Sequence, residues 1–156
     1  MRSALVLFLR DSRAPSSHDT CHANVLPAPV PPCTSTGDEA CDAACERQLY
    51  LQRQLREVLG RDKDRVDRVW LIPDQAEVRP ALLPALAQAW TLRVDAARLS
   101  QWLQADAGQT LSSHLYLVDP RGDWMMRFPA DADPVRIKKD LMRLLKASES
   151  WDEAGR

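Results

Sequence analysis

Two cysteines four residues apart, in the run Cys41-Asp-Ala-Ala-Cys45, are the residues of this chain best suited to chemistry. On a helix, residues i and i+4 share a face and lie roughly 6 Å apart at Cα, given a rise of about 1.5 Å per residue. That separation falls within the roughly 4.4–6.8 Å spanned by disulfides. It also lets two thiolates chelate one soft metal ion, for which Cu(I) or Zn(II) is favoured over hard cations. In the first turn of a helix, the dipole and free N–H groups favour the ionised thiol. The competing reading is packing, because cysteine is among the most buried residue types and two of them can fill a helix face. The position of the pair, in the first turn of the first helix of the regular region, favours chemistry.

Other candidates carry less. Cys21, His22 and Cys33 could join the pair around zinc, but their spacings lack the paired C-x₂₋₄-C knuckles of structural zinc sites. They read better as a disordered, reactive pair of cysteines. His114 is an isolated histidine in an apolar strand, which suits a structural role better than a ligand. Met125 and Met126 suggest a thioether site, yet neighbours in a strand point to opposite faces. Met126 is therefore assigned to the core and Met125 to a partly exposed filler. Arg136, Lys138, Lys139, Arg143 and Lys146 form the wet face of the last helix. The five tryptophans suit core packing better than a ligand cage. No glycine-rich phosphate loop and no nucleophile–base constellation is visible.

The elements that must position the cysteines begin near Gly37. Residues 1–37 include a proline-, serine- and threonine-rich stretch without periodicity and read as a poorly ordered leader. Within it the short apolar run Ala4–Leu9 could dock as an edge strand. Residues 38–150 form the domain, and 151–156 a tail. A helix is predicted from Asp38/Glu39 to Leu59, stopped by Gly60, with Cys41, Cys45, Leu49, Gln52, Leu55 and Leu59 in one stripe. Val66–Ile72 reads as a buried strand, 80–89 as a short helix, 90–94 as a strand and 96–103 as a helix. His114–Val118 is the clearest central strand. Asp119-Pro-Arg-Gly122 has the chemistry of a type I turn. In the returning strand, 124–128, alternation places Trp124, Met126 and Phe128 on one face and Met125 and Arg127 on the other. Asp133 caps the last helix, Pro134 opens it, and Ile137, Leu141, Leu144 and Leu145 face inward.

This order predicts an α/β, thioredoxin-like fold, a central mixed sheet flanked by helices and ending in an antiparallel hairpin and a helix. The first strand is missing or atypical. The strand that normally feeds straight into the cysteine motif is not visible before Cys41, because the prolines there remove ladder donors.

The segments GDEACDAACERQLYLQRQLREVLGRDKDRVDRVWLIPD and SSHLYLVDPRGDWMMRFPADADPVRIKKDLMRLLKAS resemble a group of proteobacterial membrane-anchored thioredoxin-like proteins. That group is related to the Sco/SenC copper chaperones of cytochrome c oxidase assembly. The resemblance covers about Gly37 to Ser148. It implies that Cys41 and Cys45 are thiolate ligands or a redox pair, with His114 as the candidate distant third ligand and Cu(I) as the metal. Glu46 stands where the Sco/SenC pattern has a proline, and Leu111 where it has its histidine. The resemblance further implies a respiratory oxidase subunit or another redox protein as partner, at the periplasmic face of the inner membrane. The alternatives are a metal-free thiol–disulfide oxidoreductase and a non-catalytic truncated remnant.

The bulk numbers agree with one folded domain. A length of 156 residues can bury a core, and a net charge of −1 gives no reason to expect nucleic acid or an anionic membrane surface as partner. No run approaches the roughly 20 apolar residues of a membrane helix. Ala4–Leu9 falls short of the roughly 7–15-residue apolar region of an export signal. Neither an anchor nor a signal is expected in this chain, and membrane attachment rests on the resemblance alone.

Overall fold

The computed structural model describes residues 3–10, 41, 43–73, 78–129 and 131–148. Their elements, in chain order, are β1 (Ala4–Leu9), α1 (Ala43–Val58), β2 (Val66–Ile72), α2 (Leu83–Leu86), β3 (Ala89–Arg93), α3 (Ala96–Trp102), β4 (His114–Val118), β5 (Trp124–Pro129) and α4 (Pro134–Ser148). Five strands form one mixed sheet in the order β3-β2-β1-β4-β5. β1 runs antiparallel to β2 and parallel to β4, β2 runs parallel to β3, and β4 and β5 form the antiparallel hairpin. This is the α/β, thioredoxin-like arrangement the pattern predicts.

The sheet separates two apolar layers. On one face Leu5, Leu7, Trp70, Ile72, Leu115 and Leu117 pack against α1 and α4 through Cys45, Leu49, Leu55, Ile137, Leu141 and Leu145. On the other, Val6, Val69, Leu71, Tyr116 and Val118 pack against Leu99 and Leu103 at α3. Strands buried on both faces need continuous apolar runs, which β1, residues 69–72 of β2 and residues 115–118 of β4 supply.

The first strand corrects the sequence reading. Ala4–Leu9 lies at the centre of the sheet, paired on both sides, and is neither an edge strand nor part of a poorly ordered leader. A six-residue run that is apolar on both faces has no alternation to declare it a strand, and its separation from the cysteine helix hid its role. It does not feed into that helix. Ala4 pairs with Leu71 and Leu9 with Val66, so β1 begins, rather than ends, at the cysteine end of the sheet. The rest of the leader assignment, including Cys21, His22 and Cys33, falls on residues outside those described, as does the 151–156 tail.

Two further corrections are local. The helix expected over 80–89 is a 3₁₀ turn, Pro80–Leu82, running into the four-residue α2, and Gln88 then adopts a φ of 63°. Pro84, at the start of α2, lacks an N–H, and the left-handed Gln88 ends the helical path before β3. In the hairpin, Leu117 pairs with Met126 but Val118 with Trp124, so Met125 is the extra residue of a bulge. Trp124 is thereby turned to the α3 face, while Met125 and Met126 both pack on the α1/α4 face.

Turn and cap chemistry otherwise act as their residues dictate. Gly60, with φ of 59°, follows the end of α1 in the left-handed region that suits glycine. Asp119 organises the hairpin loop: its carboxylate accepts from the N–H of Arg121 at 2.9 Å and of Asp123 at 2.8 Å. The N–H of Gly122 donates to the Asp119 carbonyl at 3.1 Å. Asp133 accepts from the Val135 N–H at 2.9 Å, and Pro134 opens α4.

Candidate functional site

Cys41 lies two residues before α1, which begins at Ala43, and Cys45 lies in its first turn. Their Cα atoms are 5.3 Å apart and their Sγ atoms 2.03 Å apart, at disulfide bonding distance. The entry into α1 brings the two sulfurs together at the i, i+4 spacing that a helix turn stacks. Both residues are buried, with 2% and 4% exposure, in the layer beneath α1. Sulfur faces the core while the exposed Glu46 and Arg47 face water, as the amphipathic stripe requires.

Two neighbours of the pair come from distant sequence. Ser3 Oγ lies 3.8 Å from Cys45 Sγ, placing the start of β1 against the second sulfur. The Arg79 guanidinium donates to the Cys41 carbonyl at 2.9 Å and forms an ion pair with Glu46. The arginine therefore fastens the first turn of the helix at both its backbone and its surface. Sequence spacing gave no signal for Ser3 or Arg79, since both reach the cysteines only through the fold. Glu46, at the position following the second cysteine, is the residue Arg79 holds.

His114 is placed elsewhere. Along β4 the side chains alternate, so Leu115 and Leu117 face the cysteine layer while His114, Tyr116 and Val118 face the other. The His114 ring is fully buried, with Nε2 2.9 Å from Asp106 Oδ2 and Nδ1 3.3 Å from the Thr110 carbonyl. Its centroid is 5.9 Å from that of Tyr116. Asp106 also pairs with Arg127, whose guanidinium carbon sits 5.6 Å from the centre of the Trp124 ring. These contacts form a polar cluster on the α3 side of the sheet. Hydrogen bonds from His114 and then Arg127 hold the Asp106 carboxyl below the usual carboxylate range, and burial pushes the Tyr116 phenol up to about 12.

The structure thus brings Cys41 and Cys45 together and leaves His114 across the sheet from them. Among the described residues, no group of three or more His, Cys, Asp or Glu side chains is placed to hold one metal ion. Reduced Cys41 and Cys45 alone offer two soft thiolates, a donor set chemically suited to Cu(I) as a carried ion.

A cysteine pair at the head of a helix that packs on a mixed, helix-flanked sheet defines a thioredoxin-like domain. Residues 34–148 match the family described as "Transmembrane-like, thioredoxin-like, C-terminal domain", and the chain belongs to it. No curated protein and no solved structure matches the chain. Among the described residues, no helix is long and apolar enough to cross a membrane.

Proposed function

We propose that this chain is a thiol-handling domain of the Sco/SenC kind, acting through Cys41 and Cys45 in the assembly of a respiratory haem–copper oxidase. The single observation that carries the reading is a cysteine pair at bonding distance at the start of α1, within a thioredoxin-like domain. In the dithiol state one thiolate attacks a partner disulfide, forming a mixed disulfide and releasing one partner thiolate. The second cysteine then attacks its own partner sulfur, re-forming Cys41–Cys45 and releasing the other partner thiol. Two electrons and two protons pass to the partner. The same dithiol, before oxidation, is suited to carry Cu(I) between its two sulfurs. The partner is then an oxidase subunit or another redox protein, met at the periplasmic face of the inner membrane. The placement of β1 at the centre of the sheet supports an intact scaffold rather than a remnant.

A metal-free thiol–disulfide oxidoreductase is the second reading, and the position of His114 across the sheet favours it. One pair of measurements separates the two. Reduced protein titrated with Cu(I) is expected to bind the ion with a stoichiometry that falls in a Cys41→Ala/Cys45→Ala variant. With Cys21 and Cys33 replaced by serine in both proteins, exchange with a small-molecule disulfide is expected to oxidise the Cys41/Cys45 pair and leave the Cys41→Ala/Cys45→Ala variant unchanged. In that same serine background, copper uptake that survives loss of Cys41 and Cys45 overturns the copper arm. Failure of the wild-type pair to exchange overturns the redox arm.

A further inference from the structure

The outer face of α4 carries charge and apolar surface that the fold does not use. Ile137, Leu141 and Leu145 bury the inner side of the helix. That leaves Val135, Lys139, Met142 and Lys146, spaced four, three and four residues apart, as one exposed stripe. Arg136 and Arg143, seven residues apart, flank it on one side. Val135 is 71% and Met142 49% exposed, two of the five large apolar side chains that the described residues leave in water. Arg143 pairs with Asp140 at 3.6 Å at the edge of this face. Among the described residues no ion pair engages Arg136, Lys139 or Lys146.

Charge is segregated in this chain rather than spread. α4 holds five cations and one carboxylate, a net charge of +4, so the remainder of a chain of net charge −1 sums to −5. Along a helix of about 22 Å the exposed cations form a row, not a pocket. Such a row complements an extended anionic surface, and the opposite sign elsewhere turns that one face toward it. Composition then separates the candidate partners. Where proteins bind proteins, lysine is depleted and aromatic side chains are enriched, whereas this face has two exposed lysines and no aromatic residue. A nucleic-acid backbone would engage the cations and leave Val135 and Met142 in water. The headgroup boundary of a bilayer takes both, because apolar side chains enter the acyl region while cations meet the lipid phosphates.

We propose that the outer face of α4 docks on an anionic phospholipid surface, with Arg136, Lys139, Arg143 and Lys146 on the headgroup phosphates and Val135 and Met142 in the headgroup–acyl boundary. The contact is peripheral: the helix lies along the surface while its inner side stays packed on the sheet. α1 and α4 cover the same face of the sheet, so this contact turns the Cys41–Cys45 layer toward the membrane and the α3 layer away from it. A cation near such a surface contributes about fivefold in affinity, the equivalent of about 1 kcal/mol. The inference stands on α4 alone and does not need the thiol chemistry proposed above.

The test is flotation of the full chain with phosphatidylcholine vesicles prepared with and without phosphatidylglycerol, over a salt series. The chain is expected to float only with the anionic vesicles and to be released as salt rises. Lys139→Gln/Arg143→Gln/Lys146→Gln is expected to weaken binding on the order of 100-fold. Arg61→Gln/Arg98→Gln/Arg121→Gln, at three exposed positions outside α4, should bind nearly as wild type does. Val135→Ser/Met142→Ser is expected to weaken binding several-fold and leave its salt dependence in place. All the substituted side chains are exposed, so the variants should keep the wild-type fold, which circular dichroism checks. Absence of binding to anionic vesicles at low salt overturns the proposal, as does equal flotation with and without phosphatidylglycerol. An equal loss in the two triple variants overturns it by assigning the effect to overall charge. Binding indifferent to Val135→Ser/Met142→Ser overturns it in favour of a soluble polyanion, such as a nucleic acid or an acidic protein.

Discussion

Ser3 and Cys45 meet across 42 residues of sequence, hydroxyl oxygen to sulfur at 3.8 Å in a buried contact. When the pair is reduced, the Ser3 hydroxyl is within reach to donate to the Cys45 sulfur, whereas the disulfide is a poorer acceptor. The contact thus favours the dithiol state. Replacement by alanine removes it, and a long bond to sulfur is weaker than the about 1.5–3 kcal/mol of a charged hydrogen bond. With 30 mV equal to about 1.4 kcal/mol, Ser3→Ala should make the reduction potential more negative by on the order of 10–20 mV. Equilibration against a glutathione series reads this directly. An unchanged or more positive potential would show that Ser3 does not favour the dithiol.

The central position of β1 is tested by Leu7, which is fully buried and faces the α1/α4 layer. A Leu→Ala change at a packed site costs about 2–5 kcal/mol, from lost transfer energy and the cavity left behind. Leu7→Ala should therefore lower the urea midpoint by an amount matching that range, with an m-value close to wild type. A residue in a disordered leader would give no change. Leu117, equally buried and the partner of Leu7 in β4, provides the comparison: Leu117→Ala should cost a similar amount.

The polar cluster on the far face makes a pH prediction. Asp106 has its carboxyl held below the ordinary range by hydrogen bonds from His114 and Arg127. A carboxyl whose folded pKa is depressed contributes stability above its unfolded value, about 3.9, and loses it as pH falls through the folded value. The asparagine variant lacks this contribution at every pH. The difference in Tm between wild type and Asp106→Asn should accordingly shrink as pH falls below about 4. A difference that does not shrink there would contradict the assignment.

How far this was readable from sequence depends on how local each signal is. Val66–Ile72 and His114–Val118 are runs of branched and aromatic residues closed by turn chemistry, and they form strands over those same residues. Asp133-Pro134 marks the start of α4 by a cap that needs no tertiary partner. Cys41 and Cys45 meet at the start of α1, where a spacing of four residues needs no distant partner. What escaped depends on partners chosen by the fold. Ala4–Leu9 has no alternation, because both its faces are covered. Trp124 changes face through a bulge that a single strand does not announce. Arg79 reaches Cys41 and Glu46 only after β2 has crossed the sheet, and Asp106 meets His114 across a loop.

Tyr116 gives a second titration, of opposite sign. The residue is fully buried, and its hydroxyl donates to the Gln104 carbonyl at 3.3 Å. Burial raises its pKa to about 12, with Arg127 pulling down and Asp106 pushing up as lesser influences. Because the neutral form is the one the folded protein favours, the associated stability is complete below the unfolded value of about 10. It is lost as pH rises from there through about 12. Phenolate absorbance of the folded protein should show a step delayed to near pH 12 that moves to about 10 in denaturant. In Tyr116→Phe that delayed step should vanish, and the alkaline loss of stability between about pH 10 and 12 should shrink with it. A delayed step that persists in Tyr116→Phe would assign it to another group.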